Sequence, residues 1–145
     1  MDNAQIARGV LEELFGRGNL DYVDQCFERT YRGHDTLIGE FGCDRLKETV
    51  QMYRQAFPDL SMKIDDLVSA SDKVMLRWTA RGTHKGPFLG RSATNRKATV
   101  SGISVMTFRN GKISEDYTQW DALGLLQELG IAAPIPELSA QPAAH

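Results

Sequence analysis

The sequence predicts an α+β domain, with three helical stretches first, at least four strand-like segments next and a short helix last. Three observations carry this reading. Apolar residues recur at helical spacing as far as Phe57 and with a period near two beyond it. Pro58 stands at the change, where proline stops a helix. Asn110-Gly111, the strongest short hairpin signal in the chain, joins two strand-like runs. Segregated helices and strands mark α+β architecture, and a curved antiparallel or mixed sheet wrapped around the helices would enclose one pocket.

Each element follows from its own residues. From Asn3 to Gly16, Ile6, Val10, Leu14 and Phe15 lie at helical spacing; Asp2 or Asn3 can cap the start, and Gly16 and Gly18 end it. A short helix over Leu20 to Phe27 groups Leu20, Val23 and Phe27. The stretch from Thr30 to Gly42 reads as irregular and holds His34 and Asp35. A third helix, Asp44 to Phe57, carries a stripe of Leu46, Val50, Tyr53 and Phe57. Ser61 to Ser69 and Lys73 to Thr83 read as strands, the second with Val74, Leu76, Trp78 and Ala80 on one face and Arg77, Thr79 and Arg81 on the other. Ala98 to Arg109 is a long strand rich in Val, Ile, Thr and Phe, and Lys112 to Trp120 returns after the turn. Ala122 to Leu129 is a final helix closed by Gly130. One domain over 1–131 is expected, followed by a loose Pro/Ala-rich tail over 132–145.

The bulk numbers narrow the class. The chain has 145 residues, 41% hydrophobic and 25% charged, enough for one domain with a real core. A formal charge of −2 offers no basic field for nucleic acid or an anionic membrane. No apolar run reaches the ~20 residues of a membrane span, and the first residues do not resemble a signal peptide. Cys26 and Cys43 form no CxxC unit and read as free thiols of a reducing compartment, so a cytoplasmic setting is expected. His34, His84 and His145 have no metal-ligand spacing, so no metal is expected. Gly82, Gly86 and Gly90 precede a strand and lack the Gly-Lys-Ser/Thr of a phosphate loop, so they read as a bent hairpin loop.

Several side chains are candidates for chemistry. Asp121 stands where a strand gives way to a helix. In an apolar pocket walled by Trp120, Leu123 and Leu125 it would take and return a proton; equally, aspartate is a favoured helix N-cap. His34 either polarises a carbonyl or sits satisfied in a loop. His84 is either a donor at the pocket rim or the fastener of its own loop. Trp78 belongs with the core or pocket wall, as Phe15 and Trp120 do. Arg77 points the other way, toward a surface or interface. Glu115, Tyr117 and Gln119 share a strand face if the strand is regular, and Tyr117 could then offer its phenol to a substrate.

The order and several motifs resemble the SnoaL-like polyketide cyclase family of the nuclear transport factor 2-like cone fold. The matching residues are Ala56-Phe57-Pro58-Asp59, Arg77-Trp78, Gly82-Thr83-His84, Gly86, Gly90, Asn110-Gly111-Lys112-Ile113, Glu115, Asp121, Gly124-Leu125-Leu126 and Leu129-Gly130. The resemblance implies a cofactor-free enzyme of natural-product (antibiotic) biosynthesis, with an acid–base catalyst at Asp121 and a polar pocket residue at His34. The reaction implied is an intramolecular aldol closure of a polyketide ester. Where aklanonic-type cyclases carry Gln and His on the long strand, this chain has Gly102 and Ser104, and Ser104 is the expected substrate contact there. Hydroxylases, isomerases and plain hydrophobic-ligand binders share the fold. A small hydrophobic substrate is expected, together with a homodimer or higher oligomer through the open sheet face.

Overall fold

The computed structural model describes residues 1–133, so most of the segment expected as a tail lies outside the described residues. Helix α1 (Asn3–Gly9) starts on Asp2, whose side chain accepts from Gln5 N while Gln5 reaches back to the Asp2 amide. It runs on as a wider π-helical stretch, Val10–Phe15. Helices α2 (Asp21–Cys26) and α3 (Cys43–Ala56) complete the helical layer.

The sheet has six strands: β1 (Phe27–Asp35), β2 (Gly39–Phe41), β3 (Ser61–Ala70), β4 (Lys73–Thr83), β5 (Lys97–Arg109) and β6 (Lys112–Trp120). Their spatial order is β2-β1-β6-β5-β4-β3, parallel between β1 and β6 and antiparallel elsewhere. The expected Asn110-Gly111 turn joins β5 to β6, with both residues at positive φ. Helix α4 (Ala122–Glu128) follows β6.

The expectation for residues 30–42 needs correcting. They are not irregular: they form most of β1 and all of β2. The inward positions of this part of β1 are Tyr31, Gly33 and Asp35, so no aliphatic alternation announces the strand.

One face of the sheet packs on the helices. Val74, Leu76, Trp78 and Ala80 of β4 face inward, as do Ala98, Ser104, Met106 and Phe108 of β5, all buried. The β4 residues, Met106 and Phe108 pack with Ile6, Val10, Leu14 and Val50 from the helices, and Ala98 packs with Phe57, Phe88 and Leu125. The family-type motif at Asp59 ties this layer together. Its carboxylate accepts from Thr83 N at 2.7 Å and Thr83 Oγ1 at 2.8 Å, fixing the end of β4 below α3. Those two bonds hold Asp59 below the usual carboxylate range.

Candidate functional site

Between the helices and the inner sheet face lies a cavity with about 130 Å³ of room for the centres of water-sized molecules. Its wall is mainly hydrocarbon and aromatic, drawn from the π-helical stretch, α3 and all the long strands. A small-molecule site has this build, apolar with a few converging polar groups.

Among the described residues two carboxyls line this cavity, Asp35 and Asp116, and Asp116 is the more deeply buried. A shift of register between Thr107 and Phe108 marks a bulge around Ser114 of β6. The bulge changes the phase of the strand, so that Ile113 and Asp116 are both buried on the inner face. Glu115, Tyr117 and Gln119 are thereby turned outward. Asp116 stands opposite Gly33 on β1. Tyr31, also on the inner face, donates its hydroxyl to Asp116 Oδ2 at 2.5 Å. Gly33 makes this possible, because a Cβ there would lie 2.4 Å from the Tyr31 hydroxyl and 2.5 Å from the Phe41 ring. Burial raises the Asp116 carboxyl from 3.8 to about 6; the Tyr31 hydrogen bond opposes the rise and the Asp35 charge adds to it. Tyr31 itself is pushed far above the ordinary phenol range by burial and then by the Asp116 charge, so it remains a donor.

Two further polar sets line the same space. Ser104 accepts from Trp78 Nε1 at 3.1 Å and shares a proton with Thr118 Oγ1 at 2.9 Å, so this trio is internally satisfied. Gly102 lies beside it as the register partner of both Trp78 and Trp120, and a Cβ there would meet the Trp78 ring at 2.5 Å. The glycine is thus the space into which the indole fits. Asp35 closes β1 at the cavity wall. Its Oδ1 accepts from Leu37 N at 2.8 Å, and from Ile38 N and Trp120 Nε1 at 3.3 Å each.

Tyr53, on the inner stripe of α3, also lines the cavity, with its hydroxyl buried and unpartnered among the described residues. A buried donor without a partner contributes nothing to stability and carries its desolvation cost. Tyr53→Phe is therefore expected to leave thermal stability unchanged or to raise it by up to about 1 kcal/mol. A loss of more than about 1.5 kcal/mol on thermal unfolding would show that the hydroxyl has a bonding role.

The residues expected from sequence divide between two faces. Phe15, Trp78, Ser104 and Trp120 line the cavity. Asp121 does not: it is exposed, its Oδ1 accepts from Gly124 N at 2.9 Å as the N-cap of α4, and it borders a shallow outer hollow with Arg77, Ile103 and Gln119. The strand ends before it with Trp120 facing inward, and the chain turns outward into the helix. His34 and Tyr117 also lie on the outer face. Their rings stack at 4.1 Å, and His34 Nε2 is 3.1 Å from Glu115 Oε2. Tyr117 is 51% exposed, away from any substrate in the cavity. His84 is fully buried but is not a wall residue. Its Nδ1 accepts from Thr94 N at 3.2 Å and lies 3.0 Å from Thr94 Oγ1, pinning the loop between β4 and β5. Sequence reasoning missed Asp116, Tyr31 and Asp35 as lining residues; the β6 bulge brings in Asp116, and β1 presents Tyr31 and Asp35 on its cavity side.

The model of the SnoaL-like polyketide cyclase family matches residues 5–129. The chain belongs to this family. No curated protein matches significantly. Among solved structures, this SnoaL-like chain is similar to a protein of Acidithiobacillus ferrooxidans labelled as a polyketide cyclase, at 28% identity over 89% of this chain and 94% of that one, with a TM-score of 0.75. It is similar in fold to AclR of Streptomyces galilaeus, labelled as a hydroxylase, at 21% identity over 93% and 85% of the two chains (TM-score 0.81). A Catenulispora acidiphila protein described as having a ketosteroid isomerase-like fold matches at 16% identity over 92% and 97% (TM-score 0.74). The fold is thus the nuclear transport factor 2-like, ketosteroid isomerase-like one. Among the described residues no helix is long and apolar enough to cross a membrane.

Proposed function

We propose that this SnoaL-like chain is a cyclase of aromatic polyketide-like esters, with Asp116 as the general acid/base. The observation that carries the proposal is a buried carboxyl at a cavity wall, poised at about 6 and held by the Tyr31 hydroxyl. A carboxyl near neutrality can both accept and return a proton. Asp116 as carboxylate removes the proton from a carbon next to a carbonyl, and the C–H electrons pass into the enolate. The enolate carbon attacks a second carbonyl of the same chain, forming the ring bond. The resulting alkoxide then takes the proton back from Asp116. The apolar wall favours a hydrophobic substrate and holds its chain folded, which supplies most of the remaining rate. The test is turnover of such an ester by Asp116→Asn and Asp121→Asn side by side: only the first should fail. Full turnover by Asp116→Asn would overturn Asp116 as the acid/base, and binding without turnover by the natural chain would leave a hydrophobic-ligand binder.

The same reading extends to assembly. The outer sheet face carries a row of register partners, Val68, Met75, Val105, Tyr117 and His34, of which Val68, Met75 and Tyr117 are about half exposed. Ile103 lies beside it, also exposed. A contiguous apolar patch of this kind is the mark of an interface, and we infer a homodimer through it. Light scattering should report a dimer for the natural chain and monomer for Met75→Lys/Ile103→Lys. A natural chain that stays monomeric at high concentration removes the inference.

A further inference from the structure

We propose that Asp35 is a positioning residue for Asp116, a fixed anion on the same cavity that makes Asp116 the carboxyl that carries the proton. This rests on the assignment of Asp116 as acid/base. Asp35 lies two residues beyond Gly33, the register partner of Asp116, on the neighbouring parallel strand, and both line the cavity. Their environments differ in kind. Asp35 Oδ1 collects three N–H donors, from Leu37, Ile38 and the Trp120 indole. These three bonds fix the carboxyl's place at the cavity wall. Asp116 is deeper and has one hydroxyl donor, Tyr31. Asp35 is thus tied to the wall by its own bonds, while Asp116 stands free to meet a substrate.

Tyr31 and Asp35 come from β1, on the cavity side. His34 and Glu115 face the opposite side of the sheet, where they bond each other. Of the anions that oppose ionisation of Asp116, Asp35 acts more strongly than Glu115, and His34 acts in the other direction. The same anion also opposes ionisation of Tyr53, so one charge reaches across the cavity. Its bond to Trp120 gives it a second task, because that indole packs edge-on against Tyr53 at 6.2 Å and forms part of the wall.

The charge and the wall can be separated. Asp35→Asn keeps an oxygen for Trp120 Nε1 and the two backbone amides and removes only the charge. Asp35→Ala removes both. Carbon-13 NMR of the Asp116 carboxyl in the full chain, assigned with Asp116→Asn, should show its midpoint in Asp35→Asn lower by roughly one pH unit than in the natural protein. Glu115→Gln should move it less. An unshifted midpoint in Asp35→Asn overturns the inference while leaving Asp116 as the acid/base. A larger shift in Glu115→Gln overturns it too, by assigning the effect to the outer face. An ordinary midpoint near 3.8 in the natural chain would overturn the assignment of Asp116 itself, and this inference with it.

Discussion

Turnover of an aromatic polyketide ester is expected to fall roughly 10²–10⁴-fold when Asp116 is replaced by asparagine, the usual size of an acid–base contribution. The same substitution is expected to stabilise the protein above neutrality. The sign follows from the raised carboxyl. The folded chain holds a proton on Asp116 up to about 6, against 3.8 for the ordinary group. Its contribution to stability is full below about 3.8 and is lost as pH rises through about 6. At pH 8 the buried carboxylate is a cost that the Tyr31 hydrogen bond offsets only in part and that asparagine does not carry. Two to three kcal/mol is the rough scale of the gain, set by that interval, and it should vanish near pH 4. Denaturant melts of both proteins at the two pH values check it. Asparagine still accepts from Tyr31, so the local geometry is kept. Loss of activity together with gain of stability is what a strained functional carboxyl produces; a cap or core residue would lose stability.

Gly33→Ala is the second large effect. The added methyl group would overlap both the Tyr31 hydroxyl and the Phe41 ring. Both rings are buried and in edge contact with each other at 6.1 Å, so neither moves freely. A destabilisation of roughly 1–3 kcal/mol is expected from the overpacking. A pH effect accompanies it: displaced from Asp116, Tyr31 no longer favours the carboxylate, and the acid limb of the activity profile moves to higher pH. Tyr31→Phe should reproduce that movement without the clash, which separates the lost hydrogen bond from the steric one. Thermal unfolding and the pH profile of kcat, measured on both variants, check the two parts.

The contrast between Asp121 and Asp116 shows how much of the site the sequence carries. The helices and long strands are legible because their buried faces are aliphatic and periodic, as in Val74, Leu76, Trp78 and Ala80. The hairpin is legible because Asn110 and Gly111 both adopt positive φ. The cavity side of β1 is not legible, since a strand that lines a site has Tyr31, Gly33 and Asp35 where a core strand has valine. Asp116 escapes the sequence pattern for a related reason. Counting by twos from Ile113 puts Glu115 and Tyr117 inside, and one extra residue at the bulge reverses this and brings in Asp116. Asp121 fits a cap as well as a catalyst by residue type alone, and its bond to Gly124 N is that of a cap.

The measurement that tests the account most directly is the titration of the Asp116 side-chain carboxyl in the natural protein by carbon-detected NMR. The account predicts a midpoint at about 6. A midpoint at or below 3.8, the ordinary value for an aspartate, would contradict it, because a carboxylate that weakly basic is a poorer acceptor of the proton from carbon.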